Sequence, residues 1–84
     1  MKKASNQKRT PNSMLIRARE ELDLTREEVA SKIGVNPRTY YRWEQGLQKP
    51  SLYDFRRLCD FLHKEPEELG YTLDAEGNWN QSNY

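Results

Sequence analysis

Apolar residues recur at helical spacing along most of the chain, and start and stop signals divide them into short segments. Leu15, Ala18 and Leu22 fall at i, i+3 and i+7. This spacing predicts a first helix over about 12–22 with one apolar stripe facing a core.

The second predicted helix has a clear beginning and end. Thr25 and Glu28 form the pattern of a capping box, in which each side chain can bond the backbone amide of the other residue. Gly34 is placed to end the helix, because glycine adopts a left-handed conformation at little cost. The inner face is predicted from three apolar residues, Val29, Ala30 and Ile33.

The third predicted helix has the strongest start signal of the chain. Asn36 is an N-cap residue, and Pro37 occupies the first helical position, where its missing amide hydrogen is not needed. Gly46 follows the last turn of the helix as its C′ residue. Tyr40 and Trp43 are three residues apart and are predicted to pack in the core.

The remaining residues predict two further helices and two segments outside the domain, which we expect over 11–71. Ser51 caps a fourth helix with an apolar face of Leu52, Phe55, Leu58, Cys59 and Leu62, and a short fifth helix from about Glu65 contributes Leu69. Residues 1–10 are interpreted as a flexible basic arm, either a solvated tail or a segment that follows DNA. Residues 72–84 favour a tail or linker, with a short hairpin as the alternative.

Composition limits the functional classes. A chain of 84 residues forms one small domain, and its single cysteine allows neither an intrachain disulfide nor a cysteine-rich zinc site. His63 has no cysteine or second histidine at metal spacing, so we expect neither a metal nor a cofactor. No apolar run approaches the roughly 20 residues of a membrane helix, and nothing supports an enzyme.

The charge is distributed unevenly along the chain. Residues 1–50 carry 11 Lys/Arg against 6 Asp/Glu, a net charge of +5, while residues 51–84 carry 3 against 7, a net charge of −4. The positive half contains two short helices joined by a glycine turn, which is the arrangement of a helix-turn-helix. Arg38, Tyr41 and Arg42 lie on the face of the third helix that the core residues leave free, so double-stranded DNA is the predicted partner.

These segments together resemble the lambda-repressor-like, Cro-type helix-turn-helix domain of bacteria and their phages. The matching words are LIRAREELDLTREEVASKIGVNPRTYYRWEQG, KPSLYDFRRLCDFL and EPEELG, which cover about two-thirds of the chain. The resemblance implies an all-α fold of five compact helices around one core, in which helices 2 and 3 form the reading unit.

The resemblance also implies roles for individual residues. Base contacts would come from the first turn of helix 3 and the position one turn later, which here are Pro37, Arg38, Tyr41 and Arg42. Phosphate contacts would come from the start of helix 2 and the loop after helix 3, which here contribute Thr25, Arg26, Gln45, Lys49 and Ser51. A structural ion pair would join Arg19 to Glu44. Tyr40 departs from the family by standing where a smaller aliphatic residue is usual, and Pro37 can make only an apolar contact.

The sequence therefore predicts a sequence-specific, repressor-like transcriptional regulator, or the DNA-binding domain of one. Two alternatives keep the same fold: a protein-interaction module, and an antitoxin that binds a toxin through its C-terminal tail. We expect a monomer or weak dimer when free, with a further domain or protein partner available to the tail. The expected location is the cytoplasm, at the nucleoid of a bacterial or phage-like system.

Overall fold

The computed structural model describes residues 11–73, 75, 76 and 79–81, without the side chains of Leu73, Trp79 and Gln81. The predicted basic arm, residues 1–10, lies outside the described residues. The described elements are α1 (Ser13–Glu21), α2 (Arg26–Ile33), α3 (Pro37–Glu44), α4 (Leu52–Leu62), a 3-10 helix (Pro66–Leu69), β1 (Tyr71–Leu73) and β2 (Trp79–Gln81).

The helix boundaries follow the capping signals of the sequence. The Thr25 hydroxyl accepts from the Glu28 amide at 3.0 Å, and the Glu28 carboxylate accepts from the Thr25 amide at 2.7 Å. The Asn36 side chain accepts from the Arg38 amide at 2.8 Å with Pro37 following the cap. Because these side chains bond amides that have no partner inside the helix, they set where α2 and α3 begin.

The all-α prediction is confirmed, with two adjustments. The fifth helix is a single 3-10 turn, and the chain then continues into a hairpin in which Tyr71 pairs with Gln81 and Leu73 with Trp79. The sequence favoured a tail from residue 72, and the structure has its alternative, the short hairpin. Tyr71 anchors this hairpin, because its ring is buried and packs edge-on against Phe55 at a centroid distance of 4.9 Å.

Two residues assigned to the apolar faces prove to be exposed. Leu22 is 47% exposed and lies beyond the end of α1, where the backbone leaves helical geometry before Asp23 takes a positive φ of 58°. Leu52 is 52% exposed, since it is the first residue of α4 and lies outside the core. Among the residues whose side chains are described, the core is formed by twelve buried residues, Leu15, Ala18, Val29, Ala30, Ile33, Tyr40, Trp43, Phe55, Leu58, Leu62, Leu69 and Tyr71.

Asn12, which the sequence analysis did not single out, joins three parts of the domain. Its side-chain oxygen accepts from the Leu15 amide at 3.1 Å and caps α1, and its side-chain nitrogen donates to the Leu69 carbonyl at 2.8 Å. Its backbone amide donates to the Glu44 carbonyl at 2.8 Å. Asn12 is 3% exposed, so these bonds satisfy a buried amide. They connect the start of α1, the end of α3 and the end of the 3-10 helix.

The packing around Asn12 makes Gly70 sensitive to substitution. Gly70 has a φ of +84°, and an added Cβ would lie 2.5 Å from the Asn12 side-chain oxygen. Gly34 has a similar φ of +78°, but there the nearest atom is an Arg57 terminal nitrogen at 3.6 Å. Gly34→Ala should therefore cost about 1–2 kcal/mol from the backbone alone, and Gly70→Ala about 1 kcal/mol more from the clash.

Chemical denaturation of the two alanine variants measures this difference. Gly34→Ala is the matched control, since it shares the left-handed backbone and lacks the close approach. Equal free energies of unfolding for the two variants would show that the Asn12 side chain can move aside without loss.

Candidate nucleic-acid interface

The exposed side of α3 carries the side chains that sequence reasoning assigned to base contacts. Pro37 and Arg38 are exposed, Tyr41 is 41% exposed and Arg42 is half-buried. Tyr40 and Trp43 lie on the opposite side of the helix with exposures of 0% and 1%. α3 is therefore amphipathic, with an aromatic face in the core and a cationic face open to solvent.

Two side-chain contacts connect this face to neighbouring parts of the domain. The Arg26 guanidinium, from the start of α2, lies 5.0 Å from the centre of the Tyr41 ring. The Arg42 Nε donates to the side-chain oxygen of Gln48 at 3.1 Å. The first contact connects α2 to α3, and the second connects α3 to the loop that follows it. The sequence predicted Tyr41 and Arg42 as base contacts and Arg26 as a phosphate contact, but it predicted neither of these side-chain contacts and did not identify Gln48.

An ion pair beneath this face fixes α3 on the scaffold. Arg19 Nε lies 2.6 Å from Glu44 Oε2, and an Arg19 terminal nitrogen donates to Glu44 Oε1 at 3.3 Å. The other terminal nitrogen of Arg19 donates to the Leu24 carbonyl at 2.8 Å. The hydrogen bond to Glu44 raises the pKa of Arg19, and burial opposes that rise. Arg19 thus connects α1 both to the end of α3 and to the loop before α2.

The beginning of α2 combines attractive and repulsive groups for a phosphate. The Thr25 amide is used by Glu28, so the free donors of this first turn include the Arg26 and Glu27 amides. Glu27 and Glu28 place two carboxylates in the same turn. The positive charge of Arg26 is therefore needed to make this helix end attractive to an anion.

The loop after α3 and the start of α4 hold the other predicted phosphate ligands. Gln45 is half-buried at the end of α3, and the Ser51 hydroxyl caps α4 by accepting from the Asp54 amide at 3.1 Å. The Lys49 ammonium donates to the Asn80 side chain of the hairpin at 3.2 Å. Because a lysine ammonium has three hydrogens, this bond leaves two donors for another acceptor.

The described residues offer little for other chemistry. No group of three or more His, Cys, Asp or Glu side chains in the described ranges is arranged to hold a metal ion. Burial raises the pKa of Cys59 to about 11, with Asp60 adding to the rise, so the thiol stays protonated at neutral pH. No helix within residues 11–73 is long and apolar enough to cross a membrane.

Comparisons with known proteins identify the family. The helix-turn-helix family profile matches residues 15–69, which is more than half of the chain. An uncharacterised HTH-type transcriptional regulator of Methanothermobacter thermautotrophicus is 39% identical over 59 residues, covering 70% of this chain and 86% of the relative. The cryptic phage CTXphi transcriptional repressor RstR of Vibrio cholerae is 46% identical over 60 residues, covering 71% of this chain but only 52% of the repressor.

Solved structures agree with this assignment. The restriction-modification controller protein C.AhdI of Aeromonas hydrophila has a TM-score of 0.63 and 28% identity, covering 69% of this chain and 88% of that protein. A transcriptional regulator of Listeria innocua has a TM-score of 0.64 at 24% identity over 82% of this chain and 65% of that protein, and shows the fold alone. The chain belongs to the lambda-repressor-like, Cro-type helix-turn-helix family and has the function of a DNA-binding transcriptional regulator.

Proposed function

We propose that this protein reads a specific duplex DNA site by placing the exposed face of α3 in the major groove. The observation that carries the proposal is the arrangement of that face: Arg38 and Tyr41 are exposed and Arg42 is half-buried, on the side of α3 opposite the buried Tyr40 and Trp43. Arginine is the side chain that most often recognises guanine, because its forked donors match the O6 and N7 acceptors. Pro37, at the exposed start of the helix, is suited to an apolar contact such as a thymine methyl.

The surrounding groups are proposed to fix the register on the DNA backbone. Arg26, at the start of α2, lies beside Tyr41, and Lys49 lies in the loop that follows the C-terminal end of α3. Two cations on opposite sides of a reading helix can bind phosphates that flank one groove, which sets orientation and most of the affinity. The Thr25 and Ser51 hydroxyls and the Gln45 side chain are proposed to add neutral hydrogen bonds.

The regulator is proposed to act as a repressor, in the cytoplasm and without catalysis. The named role of the Vibrio cholerae relative as a phage transcriptional repressor supports the direction of regulation. The free chain is proposed to be a monomer or weak dimer. If two copies bind one operator, their half-sites should lie about one helical turn, roughly 34 Å, apart.

Selection of bound duplexes from a random pool, followed by titration at several salt concentrations, tests the proposal. We expect one recovered site, and affinity for it that falls steeply with salt because phosphate binding releases counterions. Binding to neither the selected nor a scrambled duplex at low salt would contradict the proposal. A protein-interaction module, including an antitoxin, would then account better for the fold.

A further inference from the structure

The turn after α3 brings Gln48 back beside the reading face, which is the exposed face of α3 formed by Arg38, Tyr41 and Arg42. The Leu47 amide donates to the Arg42 carbonyl at 3.0 Å, and the Gly46 amide donates to the Trp43 carbonyl at 3.2 Å. This pair of bonds is a Schellman motif, and it requires the left-handed backbone that Gly46 supplies with a φ of 73°. Because the motif reverses the chain within three residues, Gln48 follows directly next to the last turn of the helix.

The contact between Arg42 and Gln48 has a defined polarity. Arg42 Nε is a donor, so it bonds the side-chain oxygen of Gln48, at 3.1 Å. The amide nitrogen of Gln48 is consequently free to turn outward. Arg42 is half-buried while Gln48 is exposed, so the bond lies at the edge of the reading face and not in the core.

We propose that Gln48 is a positioning residue for base recognition, which orients the Arg42 guanidinium for guanine. The inference rests on the proposed function of α3. An arginine can approach guanine either through its two terminal nitrogens or through Nε and one terminal nitrogen. Because Gln48 occupies Nε, only the end-on fork of the two terminal nitrogens remains for guanine O6 and N7.

The benefit of Gln48 comes from restricting Arg42 before DNA arrives. A free arginine side chain samples many rotamers and loses that freedom on binding, which weakens the complex. A hydrogen bond that already selects one orientation reduces the loss, and it favours the base pair that fits that orientation. Gln48 carries no charge, so its effect should appear in discrimination between duplexes and leave the salt dependence unchanged.

Three variants and a double variant test this role by titration against the selected duplex and its scrambled counterpart. Gln48→Ala should lower the specific-to-scrambled affinity ratio roughly twofold to tenfold, the range for ordering one flexible side chain. Gln48→Glu keeps an acceptor beside Nε, so it should preserve the specific-to-scrambled ratio. Its added negative charge should weaken binding to both duplexes. In an Arg42→Ala background, Gln48→Ala should not change the ratio further.

The outcomes separate this inference from the proposed function. If Arg42→Ala lowers the ratio and Gln48→Ala does not, Arg42 reads DNA without help and the positioning role is wrong. An equal effect of Gln48→Ala with and without Arg42 would show that Gln48 acts independently, which also overturns the role. If Arg42→Ala leaves the ratio unchanged, base reading by Arg42 fails together with its positioning by Gln48. Unchanged thermal melts for Gln48→Ala are expected throughout, because the side chain is exposed.

Discussion

Glu44→Ala should destabilise the domain by about 3–5 kcal/mol, because it leaves the Arg19 guanidinium buried without its counter-charge. Glu44 is fully buried and Arg19 is 8% exposed, and the two share bonds of 2.6 and 3.3 Å. Arginine cannot lose its proton, so it must remain charged in the folded state or pull away from its site. Pulling away would also break the bond to the Leu24 carbonyl, which holds the loop before α2.

A double-mutant cycle isolates the interaction between the two side chains. Arg19→Ala should also be costly, since it leaves a buried carboxylate, whereas the double variant should cost less than the sum of the single variants. Glu44→Gln is the control for volume, because it keeps the shape and one acceptor, while it removes the charge and replaces the second acceptor by an amide donor. Free energies of unfolding from urea titration provide the measurement, and strict additivity would mean that the residues do not interact.

The caps and turns of this fold could be predicted from sequence because they depend on neighbours in the chain. The Thr25–Glu28 box, the Asn36–Pro37 start and the glycine at 46 all act within one helical turn, and the structure has them as predicted. The Arg19–Glu44 pair spans 25 residues, and no periodicity connects its members. It was expected only because the chain resembles a family in which such a pair is common.

The features that the sequence did not predict correctly all depend on packing between distant segments of the chain. Leu22 fits the helical period of α1, but the helix ends at Glu21 and the chain turns before that position can face the core. The hairpin was disfavoured because two short strands are marginal alone, and its stability depends on the burial of Tyr71 against Phe55. Asn12 was included in the first predicted helix, but it is the N-cap of α1, and its bond to Leu69 crosses 57 positions.

The candidate interface also has one part that the sequence predicts and another that it does not. The exposed face of α3 follows from helical geometry once Tyr40 and Trp43 are assigned to the core. Its side-chain contacts do not follow, because the Arg26–Tyr41 stacking depends on the angle between α2 and α3. The Gln48 contact depends on how the chain leaves the Schellman motif after Gly46.

Replacing both Arg38 and Arg42 by alanine should remove about 2–6 kcal/mol of binding free energy on the selected site, from about 1–3 kcal/mol for each bidentate contact. Each single variant should relax the preference at one base pair, because the two side chains lie one helical turn apart on α3. Arg38 is exposed and Arg42 is held by Gln48, so both can be changed without disturbing the core.

Arg26→Ala and Lys49→Ala are the matched controls, since each also removes one positive charge. They should weaken binding to selected and scrambled duplexes about equally and reduce the salt slope by roughly one, as expected for phosphate contacts. Arg26→Ala also removes the cation that lies over the Tyr41 ring, so any loss of discrimination in that variant would assign part of the reading to Tyr41.

The decisive comparison is the specific-to-scrambled ratio: if it is unchanged in the Arg38→Ala/Arg42→Ala variant, α3 does not recognise bases through these arginines. Their loss would then affect only the total positive charge, as in the two controls.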